Sequence, residues 1–201
     1  MAHKGDKGCD YKSHPPLDHS KSLNDFKSMG IPIYAPYLKI DYMSMNMGEF
    51  TVKPFDLTTV DGRWTHTDAN GEPCPIYGFL IAHPEMGRML YITDCELIKW
   101  RFKDINHILL GVNYDKDLVD TDNPKANHVF RGHLSIDTAC DFVKSNDSDS
   151  LQNVIMCHLS SENADKDSFI EKMKNAVNGA NVDVAEAGKE WLLANPNECP
   201  F

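Results

Sequence analysis

Apolar and polar positions along the chain change period several times, and each period names an element. In Ser135 to Ser145, Ile136, Ala139, Cys140 and Val143 recur at i, i+3, i+4 and i+7. That is one face of a helix, with Ser135 placed to cap it. Phe169, Ile170, Met173 and Val177 predict a last helix closed by Gly179, and Leu23, Phe26 and Met29 predict a short one over Ser20 to Met29, stopped by Gly30. Strands read differently. HILLGVN (107–113) and NVIMC (153–157) are near-continuous apolar runs, the mark of strands covered on both faces. YGFLIAH and RMLYIT flank PEMG and predict a hairpin. IPIYA (31–35) and NVDVA (181–185) read as short strands. In EFTVKPFDL (49–57) the alternation breaks phase at Pro54, which predicts an edge strand or a bulge. Strands come first as a hairpin and later alternate with helices, so the expectation is a layered α/β architecture.

Two stretches carry no period. Residues 1–12 are polar and rich in Gly and Lys, and residues 13–201 are read as one domain. Residues 58–75, TTVDGRWTHTDANGEPCP, form a long polar loop, and a loop of that length is usually functional or mobile.

Composition adds three constraints. The net charge of -10 gives the chain no general attraction for nucleic acid or anionic membrane, so any polyanion it handles must meet a local cation. The six cysteines are scattered with no CxxC pair. They read as reduced thiols, with Cys95, Cys140 and Cys157 as small core residues, and the expected compartment is the cytoplasm. No long apolar run predicts a membrane span.

The candidate chemistry lies just past the ends of predicted strands. Asp94 ends RMLYIT, His158 ends NVIMC, and His133 follows the short apolar step HVF. His66 sits in the long loop, and His14, Asp18 and His19 precede the first helix. Each alone has a plain structural reading, as a turn cap, a surface histidine or a helix N-cap cluster. In an α/β fold, however, strand ends collect on one edge, and imidazoles with carboxylates are the donors that zinc takes. His3, His83, His107 and His128 read as structural or surface residues.

SHPPLDHSKSL (13–23) resembles the signature of metallo-β-lactamase-fold hydrolases, H-x-H-x-D-H leading into a helix. PIYGFLI and RMLYITDCELI resemble the hairpin that ends in the metal-bridging Asp. HILLGVNYD, HVFRGHLSIDTACDFVKSND and NVIMCHLSSENADKDSF are similar to the tail of a bacterial and phage subgroup. The resemblance implies a four-layer αβ/βα sandwich with its metal site on one edge. It also implies one or two zinc ions, or manganese. By position, the first two motif ligands fall on His14 and Pro16, the second metal takes Asp18 and His19, and the middle motif His falls on His66. Asp94 falls on the bridging carboxylate and His158 on the last ligand. His133 falls on a His that contacts the substrate phosphate or donates a proton, and Asp18 also orients the attacking water.

Three departures from that pattern stand out. Pro16 occupies a ligand position and cannot ligate through its ring. Residues 1–12 do not read as the strands that open the family's fold, so the N-terminal strands are expected to be missing, and a homodimer is expected to complete the sheet. Gly111 stands where relatives often carry Glu.

The resemblance points to a phosphodiesterase acting on a small phosphoester such as a cyclic nucleotide, as in proteins similar to the anti-Pycsar enzymes. One alternative is a nuclease of the same fold, which the scattered N-terminal lysines do little to favour. The other, given Pro16, is a non-catalytic protein that binds a nucleotide or a partner.

Overall fold

The structure is a computed structural model that describes residues 23–30, 45–47, 49–59, 61–67, 73–124 and 126–194. Its strands are β1 (Met45–Met47), β2 (Phe50–Asp56), β3 (His66–Thr67), β4 (Pro73–Cys74), β5 (Tyr77–His83), β6 (Gly87–Ile92), β7 (His107–Gly111), β8 (Asn153–Cys157) and β9 (Asn181–Val184). The helices are α1 (Leu23–Ser28), α2 (Ala126–Gly132), α3 (Ile136–Asn146) and α4 (Lys166–Lys174).

Seven strands make one mixed sheet in the order β1-β2-β5-β6-β7-β8-β9, and β3 and β4 form a small ladder of their own. From β1 to β6 the neighbours are antiparallel, and from β6 to β9 they are parallel. The parallel half is the one whose strands read as continuous apolar runs. Register places Leu90, Ile108 and Val154 side by side, with Ile92, Leu110 and Met156 two residues further on. All six are fully buried. Ile136, Ala139 and Val143 of α3 and Phe169 and Met173 of α4 join the same core. Burying each such large aliphatic or aromatic side chain contributes roughly 1.5–3 kcal/mol. The helix starts are fixed by the expected chemistry. The Ser135 hydroxyl accepts from the Thr138 N–H, and the Asp165 carboxylate accepts from the Ser168 N–H at 2.7 Å.

This is a mixed α/β fold, as expected, and among the described residues the only strand pairing outside the large sheet is the β3–β4 ladder. Three local expectations are corrected. First, β2 is not an edge strand along its whole length, nor is it bulged. It pairs in unbroken register with β5 from Thr51↔Ala82 to Asp56↔Tyr77, and with β1 over Phe50 to Val52. Among the described residues β1 pairs with Phe50 to Val52 only, so there Pro54, whose N–H is missing, meets a single neighbour, β5. Second, the first helix ends at Ser28, and Phe26 within it and Met29 just past it are exposed and contribute no core face there. Third, the segment HVF before His133 lies in helix α2, with Phe130 packed edge-on against Tyr114. The predicted strand 31–35, and with it the question of strands preceding the signature, lies outside the described residues.

Candidate metal centre

The parallel strands β6, β7 and β8 end on one edge, and the chain places a polar residue just past each end. This is where an open α/β sheet offers a site. Past β6 the chain turns sharply at Asp94, whose backbone is left-handed (φ 57°), and the carboxylate is driven inward to 5% exposure. Past β8 it turns the same way at His158 (φ 61°). A left-handed backbone costs an L-residue roughly 1–2 kcal/mol, and such strain gathers where side chains must be aimed. Gly111, at the end of β7, leaves room for the first of these turns. A Cβ there would stand 3.1 Å from the Thr93 Cα, closer than the neighbouring backbone comfortably allows. Any side chain there, a glutamate included, requires the Thr93 backbone to give by a few tenths of an ångström.

His133 reaches the same edge from a helix. It follows Gly132, the last residue of α2, and the residues just after it are tied down from the β7 side. The Asn113 N–H donates to the Leu134 carbonyl at 2.9 Å, and the Ile136 N–H donates to the Tyr114 carbonyl at 2.9 Å. His66 comes from the long loop, which is not wholly irregular. The β3–β4 ladder pairs His66 with the buried Cys74 and so anchors it. The Thr65 hydroxyl lies 3.2 Å from His66 Nδ1, and the Gly132 backbone lies alongside the ring.

These residues converge. One ligand atom each from His66, Asp94 and His133 lie within 4.8 Å of one another. His133 Nδ1 is 3.8 Å, and His158 Nε2 3.4 Å, from the same Asp94 Oδ1. The His133 ring centroid is 5.8 Å from that of His66 and 5.3 Å from that of His158. His158 is the open member, with 41% of its side chain exposed against 16% for His133. Two thiols lie nearby, and both are held neutral. Burial first, and then the Asp94 charge, pushes Cys95 up to about 12 and Cys157 up to about 11. The donors that converge are imidazole nitrogen and carboxylate oxygen. That set suits zinc or manganese.

No protein-family model matches this sequence, and no curated protein matches it. Among solved structures it is similar to the crystal structure of the metallo-beta-lactamase fold protein YhfI from Bacillus subtilis. The TM-score is 0.58 at 15% identity, with 90% of this chain and 75% of that chain covered. The chain has the metallo-β-lactamase fold. Of the candidate ligands and catalytic residues read from the sequence, His66, Asp94, His133 and His158 stand together at one edge of this fold. His14, Pro16, Asp18 and His19 lie outside the described residues. His133, expected to contact substrate, stands as close to Asp94 and His66 as a ligand would.

Asn113 was missed, although it sits past the end of β7 just as Asp94 and His158 sit past theirs. A cleft of about 550 Å3 around Asn153, Asp183 and Trp191 shares no lining residue with the cluster of His66, Asp94 and His133. Among the described residues no helix is long and apolar enough to cross a membrane.

Proposed function

We propose that this chain is a metal-dependent hydrolase, and specifically a phosphodiesterase acting on a small phosphoester such as a cyclic nucleotide. The observation that carries the reading is the gathering of His66, Asp94 and His133 within 4.8 Å at the carboxyl ends of parallel strands. These three residues would hold a zinc or manganese ion. Asp18 and His19, read from the signature, together with Asp94 and His158 would serve a second. Such an ion supplies Lewis acidity at phosphorus and acidifies water towards neutral pH.

The chain's own residues supply the rest. Asp94 is buried, so its charge acts in a medium that screens it little. The two imidazoles are fixed by a ladder and by a helix end, which suits ligands that must hold their geometry. His158 is the ring on the solvent side, placed to meet a substrate entering there. The acidic chain favours a small nucleotide over a long nucleic acid, whose charge would be repelled outside the centre.

The test is metal content by elemental mass spectrometry on protein purified without chelator, followed by hydrolysis of bis-p-nitrophenyl phosphate and of cyclic nucleotides. The expected result is at least one ion per chain and activity that chelator removes and zinc or manganese restores. Protein that binds neither ion after add-back would overturn the reading. Pro16 favours one second reading, a non-catalytic binder on the same scaffold. Activity appearing only in Pro16→His would establish that reading.

A further inference from the structure

We propose that Asn113 is a positioning residue for this centre, joining the loops that carry His133 and His158 and fixing which nitrogen of His158 bears its hydrogen. The proposal deepens the metal-centre reading above and rests on it for its consequence, but not for its geometry. Asn113 directs its backbone N–H, its backbone carbonyl and its side-chain Nδ2 to the two loops. Its N–H donates to Leu134 O at 2.9 Å, beside His133, and its carbonyl accepts from the Ser160 N–H at 2.9 Å, two residues past His158. Its side-chain Nδ2 donates to the His158 carbonyl at 2.9 Å and lies 3.3 Å from His158 Nδ1.

The orientation of the carboxamide is determined by its neighbours. Turned over, it would set its oxygen against the His158 carbonyl oxygen, two acceptors at hydrogen-bond distance. Held as it is, one hydrogen of the amide goes to the carbonyl and the second is available to Nδ1. Nδ1 can accept only if it carries no hydrogen, so the neutral ring bears its hydrogen on Nε2, the nitrogen 3.4 Å from Asp94 Oδ1. The bond to the His158 carbonyl also braces the left-handed turn at that residue (φ 61°). In the metal-free protein His158 therefore stands as a donor towards Asp94. Presenting Nε2 bare to an ion requires Asn113 to rotate.

The experiment reads the ring directly. Long-range 1H–15N correlation spectra of the full, chelator-dialysed chain are recorded well above the ordinary histidine pKa, with His158 assigned by the signals lost in His158→Gln. The Nε2–H pattern is expected in the wild type, a mixture of tautomers in Asn113→Leu, and a switch to Nδ1–H in Asn113→Asp, whose carboxylate accepts there. Cobalt(II) titration of Asn113→Leu should show affinity no lower than the wild type's, because the substitution removes the amide that must rotate before Nε2 can face an ion. An Nδ1–H ring in the wild type, or an Asn113→Leu ring unchanged from it, overturns the proposal. Should Asn113→Leu not fold, the wild-type and Asn113→Asp spectra still decide. Absence of cobalt binding to the wild type would count against the metal reading alone, because the ring pattern is measured without metal.

Discussion

His107 and His158 occupy opposite ends of the neighbouring strands β7 and β8, and the same device holds both. Each presents Nδ1 to the amide of an asparagine: Asn153 at 2.9 Å for His107, Asn113 at 3.3 Å for His158. What differs is the group at Nε2. For His107 it is the Met86 carbonyl at 3.0 Å, inside a site only 1% exposed. For His158 it is the Asp94 carboxylate, next to open solvent. The first ring is satisfied by neutral partners and ties β8 to the hairpin. The second is attached to a charge that can serve something else. A histidine becomes a candidate for chemistry through what stands at its far nitrogen, more than through its own burial.

The sharpest way to break this contrast is to remove the charge. Asp94→Asn keeps the shape and the left-handed turn, since Asn tolerates that backbone. It should cost zinc affinity more than the roughly 10–100-fold that outer partners cost, measured by competition with a chromophoric chelator. Unfolding by urea should change little. An affinity within a fewfold of wild type would remove Asp94 from the centre.

The opposite substitution tests the structural ring. His107→Leu strands the Met86 carbonyl and the Asn153 amide in the interior. It should lower stability by about 2–4 kcal/mol in urea while leaving zinc affinity unchanged. The same ring gives a pH signature. Burial holds its pKa below the ordinary 6.5, against the opposing pull of the Met86 carbonyl. The unfolded chain therefore takes up the proton first. This contribution to stability is complete above about 6.5 and is lost as the pH falls from there towards the lower folded value. In His107→Leu that part of the pH dependence should vanish.

Two smaller effects sharpen the comparison at the site end. Gly111→Ala puts a methyl group against Thr93 and should cost about 1–3 kcal/mol in stability. Because the strain is delivered to the turn at Asp94, zinc affinity should fall with it, which separates this substitution from His107→Leu. Ser135→Ala removes the cap of α3, two residues past His133, and should cost about 1 kcal/mol in thermal unfolding with affinity within a fewfold.

Where the sequence was legible, one physical signal dominated. NVIMC and HILLG are apolar throughout because both faces of those strands are covered, and α3 shows its buried face as Ile136, Ala139 and Val143. Asp94 and His158 were visible as polar residues interrupting such runs. Less legible were features set by a partner distant in sequence. Pro54 pointed to an edge, but nothing local to it reveals that, among the described residues, β1 pairs with Phe50 to Val52. The β3–β4 ladder is two residues long, too short for alternation to show. Asn113 carries no local mark of its role, because its partners Leu134, His158 and Ser160 are supplied by other loops. HVF before His133 shows only as a short apolar step, too short to reveal the helix Ala126–Gly132 that it belongs to.

The left-handed turns at Asp94 and His158 also bear on how this centre can decay over generations. At such a φ the backbone accepts glycine, asparagine and aspartate far more readily than other residues. For Asp94, asparagine is a single-nucleotide change in the codon that keeps both the turn and the side-chain outline. Drift at this position is thus steered towards a descendant that folds as its ancestor did and has lost the charge. A lineage of this kind would leave behind proteins whose architecture outlives their chemistry.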